Sequence, residues 1–215
     1  MDRHHNPYPP PARHRRKQKA ETRCLILNAA RRLFGKRGFE KTTMRSIAAE
    51  AGMGYGTVFK HFSNKADLLA ACLHDAIEKT LAAAFDALPP DVSFQDQFLF
   101  LAGKLIRHYA EQPALSKTFI EHIFTVDGAW KAIMDAQIEQ FLSNLQEIVE
   151  NHKKRGTLRK EVDNDLLALS LFSSYISVLV LSLRAEAFDP DETMKRLERL
   201  IDLNLTGVLT GKERG

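Results

Sequence analysis

Between Thr42 and Leu69 the chain reads TTMRSIAAEAGMGYGTVFKHFSNKADLL, and these residues constrain its fold more than any others. Thr43 is placed to cap a short helix, Met44 to Ala51, whose Ile47, Ala48 and Ala51 share one apolar face. Gly52 stands where a left-handed residue closes a helix, a position that costs glycine nothing because it has no Cβ. A second short helix over about 55–61 turns Val58 and Phe62 inward. It leaves Tyr55, Thr57, Lys60 and His61 on or near its outer side. Asn64 and Asp67 then open a third helix in the manner of a capping box. Two short helices joined by a tight glycine turn, the second bearing aromatic and basic groups, suit insertion into a DNA major groove.

Tyr55, Thr57 and Lys60 are the residues expected to enter the groove, where hydrogen-bonding groups or apolar contacts discriminate bases. Arg45, on the preceding helix, is placed to reach a base edge or a phosphate. Thr43, His61 and Lys65 suit phosphate contacts, which fix register without reading sequence. Gly54 opens the second helix. Ile47, Val58 and Phe62 belong to the core.

The pattern extends upstream through Thr22–Arg23, Ile26–Leu27, Ala29–Ala30, Leu33–Phe34 and Gly38–Phe39. Residues 20–70 together resemble the DNA-binding domain of the TetR family of transcriptional regulators. The family's usual serine at the start of the recognition helix is Gly54 here, a weaker cap. The usual tyrosine near its end is Phe59, which has no hydroxyl for a phosphate. The resemblance implies double-stranded operator DNA as a partner, a small-molecule effector and a homodimer.

Charge divides the chain in the same place. Residues 1–65 hold 15 Lys and Arg against 4 Asp and Glu, whereas 66–215 hold 16 against 23. A basic module beside an acidic one fits a polyanion partner for the first alone. Residues 1–19 combine Pro7, Pro9, Pro10 and Pro11 with Arg13, Arg15, Arg16, Lys17 and Lys19, and are expected to form a disordered basic arm. The arm has no apolar core of the secretory kind, so a cytoplasmic location is expected. Cys24 and Cys72 lie among apolar neighbours on predicted helices and are expected to be buried thiols.

Helical periodicity continues to the end, with helices expected at about 20–36, 65–87, 93–111, 113–124, 128–154, 164–186 and 191–209. Pro89–Pro90 marks the connection between modules. Leu166 to Leu183 is an uncharged run at the threshold for a membrane span, yet its regularly spaced serines suit a buried interface helix and no membrane partner is expected. Leu169, Phe172, Ile176 and Val180 on this helix, and Leu197, Ile201, Leu205 and Val208 on the next, form stripes wide enough to suggest dimerisation through helices 164–186 and 191–209. In the resembling family, the corresponding helices pair as a four-helix interface.

Aromatic residues crowd the middle helices. Phe98, His108, Phe119, His122, Trp130, Met134 and Phe141 are the residues expected to line an effector pocket, although an aromatic stripe at helical spacing also suits plain core. No two histidines stand at the spacing of a metal motif with a carboxylate partner. No phosphate loop, nucleophile elbow or telling carboxylate pair occurs, so neither an enzyme nor a cofactor is expected. The chain is therefore expected to be all-α. A three-helix domain with a helix-turn-helix (20–65) should be followed by a larger helical ligand-binding and dimerisation domain (66–215). The expected function is a TetR-like regulator, a repressor released from its operator by a ligand. The alternative is an architectural DNA-binding protein without one.

Overall fold

The computed structural model describes residues 12–122 and 128–206. Among them the chain forms nine α-helices: α1 (Ala12–Lys41), α2 (Met44–Glu50), α3 (Tyr55–His61), α4 (Lys65–Asp86), α5 (Phe94–Glu111), α6 (Pro113–His122), α7 (Gly128–Arg155), α8 (Asn164–Leu183) and α9 (Pro190–Leu205). They fall into two compact units, Met1–Cys72 and Leu73–Gly215. The division lies inside α4, not at its start and not at Pro89–Pro90, because the first turns of α4 supply core to the smaller unit.

That core is small and closely packed. Ile26, Leu27, Ala29, Ala30, Leu33 and Phe34 of α1 meet Ile47, Val58, Phe62, Leu68 and Leu69, all buried. Polar ties hold its edges. Thr42 Oγ1 donates to the Gly38 carbonyl at 2.8 Å, and Arg31 donates to the Cys72 carbonyl at 3.0 Å. Gly38, at φ 79°, breaks α1 just before its last residues. The helix starts at Ala12, well before the expected residue 20, so 12–19 continue α1 instead of forming a disordered arm. Residues 1–11 lie outside the described part. Cys72 is buried as expected, but Cys24 is exposed. The inward face of α1 is fixed by Ile26, Ala30 and Leu33, and Cys24 falls on the other side with Asn28.

In the larger unit α8 packs between α7 and α9, and α5 packs against α9. Asp163 and Asp189 cap α8 and α9, each accepting two backbone N–H groups, and Gly156 (φ 74°) closes α7. Buried His152 wires α7 to the α4–α5 connection. Its ring nitrogens lie 2.8 Å from Thr157 Oγ1 and 3.1 Å from Gln97 Oε1, while Gln97 Nε2 donates to the Pro89 carbonyl.

The two apolar stripes are mainly core. Leu197, Ile201 and Leu205 are fully buried within the unit, and the half-buried Phe172 and Ile176 line a cavity described below. Val208 lies outside the described residues. Leu169 of the first stripe is exposed, as are three leucines outside the stripes: Leu166 and Leu181 on α8 and Leu203 on α9. Among the described helices α8 alone is long and apolar enough to cross a membrane, and its inward side is occupied by α7 and α9.

Candidate functional site

The two short helices are shaped by their caps. Thr43 Oγ1 accepts from the Ser46 N–H at 3.1 Å while Ser46 Oγ accepts from the Thr43 N–H at 3.0 Å, a reciprocal capping box that starts α2. The turn is a Schellman closure. Met53 N–H donates to the Ala48 carbonyl and Gly52 N–H to the Ala49 carbonyl, with Gly52 at φ 66°. Gly54 caps α3 with backbone alone. Val58 is fully buried, which fixes the helix's rotation and turns Tyr55, Thr57, Phe59 and Lys60 outward. Arg45 is exposed on α2.

The outward face has its own order. The rings of Tyr55 and Phe59 stack with centroids 6.0 Å apart, each about half exposed, which is unusual for large aromatic groups on a small domain. Phe59 is not among the expected DNA contacts because it lacks a hydroxyl. Its i+4 spacing from Tyr55 is the sequence signal that points to it. His61 is half-buried, and its imidazole is held below the usual range by burial first, then by Lys19 and Arg23 of α1. Those cations therefore lie close to the carboxyl end of α3 and extend the basic surface onto α1. Lys65 is committed elsewhere in part. Its ammonium donates to the Phe39 carbonyl at 2.7 Å and sits 4.1 Å from the Phe39 ring centroid, so it ties α4 to the end of α1.

Inside the larger unit lies a cavity of about 80 Å³. Phe119, Met134 and Phe141 line it, together with Ile77 and Leu81 of α4, Leu105 and Tyr109 of α5, Gln137 and Ile138 of α7, and Phe172, Tyr175 and Ile176 of α8. Of the other residues expected there, Phe98 is buried core away from the cavity, His108 faces Glu111 at 3.5 Å, and Trp130 packs on His74. The side chain of His122 lies outside the described residues. Helical spacing alone does not separate residues that fill the core from residues that border a space.

Residues 26–72 match the model of the bacterial regulatory proteins of the tetR family. The amino-terminal unit is thus a DNA-binding domain of the TetR family. It is 24% identical over 155 residues to the uncharacterized HTH-type transcriptional regulator YhgD of Bacillus subtilis, covering 72% of this chain and 81% of that one. It is 43% identical over 68 residues to the HTH-type transcriptional regulator TtgR of Pseudomonas putida, a match that spans 32% of each chain. In fold it is similar to Thermus thermophilus FadR, a TetR-family repressor solved with lauroyl-CoA, at TM-score 0.70 and 22% identity over 90% of this chain and 98% of that one.

Two further features fall outside the residues expected to bind DNA or a ligand. A groove between α8 and α9 is bordered by Ser177, Leu181, Arg199 and Leu203. On α4, ligand-type atoms of His74, Asp75 and Glu78 lie within 4.8 Å of one another, a grouping that a comparison of histidine pairs does not reach. His74 Nε2 is 3.7 Å from the mostly exposed Glu78 carboxylate.

Proposed function

We propose that the chain is a homodimeric transcriptional repressor that leaves its operator when a small molecule occupies the cavity of the larger unit. As a TetR-family helix-turn-helix protein it is a regulator of transcription, and the arrangement of α3 carries the DNA reading. Burial of Val58 turns Tyr55, Thr57 and Lys60 outward together on one short helix. Tyr55 and Phe59 offer apolar edges to thymine methyl groups, Thr57 and Lys60 offer hydrogen bonds, and Thr43, Arg45 and His61 hold phosphates. Gly54 permits close approach of the backbone, having no side chain in the way.

Release by an effector is supported by the cavity and by the relative FadR, which was solved with lauroyl-CoA. Ile77 and Leu81, which border the cavity, stand on the helix whose first residue, Lys65, is tied to the end of α1. A molecule pressing on these two residues therefore acts on a helix that also supplies core to the DNA-binding unit. A coupling of about 1–3 kcal/mol is typical of such a switch and suffices to release an operator. A cytoplasmic location and the absence of catalysis belong to the same proposal.

Dimerisation is assigned to α8 and α9, through their exposed side, which takes in Leu169 of the first stripe but not the buried Leu197, Ile201 and Leu205. Leu166, Leu169, Leu181 and Leu203 are each about half or more exposed, with Ser170, Ser173 and Ser177 between the α8 leucines. Sedimentation of Leu203→Glu tests this: a folded monomer is expected, and an unchanged dimer would remove the face from the proposal. The architectural alternative predicts no dependence of operator binding on any ligand. A thermal-shift screen followed by operator titration with each hit separates the two.

A further inference from the structure

The cavity in the larger unit has a chemistry that selects its ligand. Its wall contains no Asp, Glu, Lys, Arg or His among the described residues, and its polar lining residues are Tyr109, Gln137 and Tyr175. Tyr175 is 4% exposed, and its Oη is buried with no hydrogen-bond partner among the described groups. Orphaned donors of this kind are rare in folded proteins and costly to keep. Burial pushes the phenol of Tyr175 well above its ordinary range, and the nearby Tyr109 raises it further, so it remains an O–H donor at any physiological pH.

Resting on the effector reading above, we propose that the cavity takes a small, uncharged, single-ring aromatic molecule bearing one oxygen that accepts a hydrogen bond from Tyr175 Oη. An aryl ketone or aldehyde is of this class. The volume bounds the size: an apolar protein cavity of about 150 Å³ takes one benzene, so a space of about 80 Å³ admits at most a single small ring as its walls adjust. A lauroyl chain with a nucleotide headgroup exceeds it and would find no cation for its phosphates. A carboxylate would likewise be buried without a cation. A quaternary ammonium ion needs open aromatic faces or a carboxylate. Here Phe141 already packs against Phe85 at 6.4 Å and Phe172 at 5.9 Å, and no carboxylate borders the space. A neutral ring with one acceptor satisfies the hydroxyl and leaves nothing charged behind.

Calorimetric titration of the full chain with acetophenone, toluene, benzoate and choline tests the assignment, each probe against wild type, Tyr175→Phe and the cavity-filling Met134→Trp. Acetophenone is expected to bind wild type and to bind Tyr175→Phe about five- to tenfold more weakly, as the loss of one neutral hydrogen bond requires. Toluene should bind wild type and Tyr175→Phe alike, which also shows that the variant keeps its cavity, and Met134→Trp should bind neither. Tighter binding of benzoate or choline than of acetophenone overturns the proposal. So does indifference of acetophenone to Tyr175→Phe, or failure of both neutral rings to bind. Operator titration with the same four probes keeps the two levels apart. Tyr175-dependent binding of acetophenone without a change in operator affinity leaves the ligand class standing and removes the effector reading. Operator release by choline or benzoate alone does the opposite.

Discussion

The two units of this protein have their proposed sites in opposite kinds of places. In the smaller one the residues proposed to read DNA are what the core leaves outside: Val58 is fully buried and Tyr55, Thr57, Phe59 and Lys60 stand out from the helix it anchors. In the larger one the proposed effector site is a place where the core is incomplete, the cavity bordered by Met134, Phe141, Phe172 and Tyr175. An outward face is a matter of rotation about a helix, which residue spacing specifies. An inward gap depends on how several helices meet, and no spacing within one of them specifies that.

The largest effect that tests this contrast comes from placing the same charge on opposite sides of α9. Leu197→Glu puts an unpaired charge in the core and should destabilise the larger unit by about 3 kcal/mol or more. Leu203→Glu, on the exposed side, should leave helicity and melting of the monomer nearly unchanged while abolishing the dimer. Circular dichroism melts with analytical ultracentrifugation distinguish the two. Equal destabilisation by both would mean that the exposed leucines are core after all.

Next in size are the recognition residues. Tyr55→Ala and Thr57→Ala should each weaken operator binding by about 1–3 kcal/mol with no loss of folding. Neutralising Arg15, Arg16, Lys17 and Lys19 together should instead weaken all sequences alike. It should also flatten the salt dependence, by about 0.9 in log–log slope for each phosphate that is no longer neutralised. These residues continue α1 as exposed helix, and Lys19 among them lies close enough to His61 to lower its pKa. An unchanged salt slope would restrict the interface to α2 and α3.

How much is legible in the sequence follows the same division. Thr43, Gly52, Asp163, Asp189 and Gly156 announce helix ends because capping is local chemistry, complete within a few residues. The face of α3 follows from Val58 and Phe62. The start of α1 does not, because charge and nearby prolines suggest an arm, yet arginine, lysine and glutamine are good helix formers once a helix is nucleated downstream. The stripes on α8 and α9 suggest a partner, although Leu197, Ile201 and Phe172 face their own unit. An apolar stripe says that something covers it and not what. Phe98 and Phe119 look alike in sequence, and only the packing separates core from cavity wall.

Protonation offers a smaller effect that reaches both units. His61 and His152 are each held below the usual imidazole range, mainly by burial, with neighbouring cations adding to it. The unfolded chain then binds protons that the folded chain resists. Stability should be complete above an unfolded value of about 6.5 and should decline as pH falls below it, until the folded values are passed. Urea melts at pH 7.5 and 5.5 check the sign, and His152→Gln should reduce the decline. Operator DNA should raise the depressed value of His61, since phosphates offset Lys19 and Arg23, and should leave His152 alone. The smallest effect is at the bare cap of α3. Gly54→Ser meets nothing within 4 Å at its Cβ and should stabilise the smaller unit by a few tenths of a kcal/mol.

The central claim is that the face of α3 set outward by Val58 reads DNA sequence. Selection from a random duplex library yields an operator, and fluorescence anisotropy then compares that operator with a scrambled duplex for wild type and for the double variant Tyr55→Ala/Thr57→Ala. A strong preference for the selected duplex is expected in wild type, and its loss by roughly two orders of magnitude or more in the variant, with scrambled-duplex binding unchanged. A variant that keeps the wild-type preference would show that sequence is read elsewhere on the molecule.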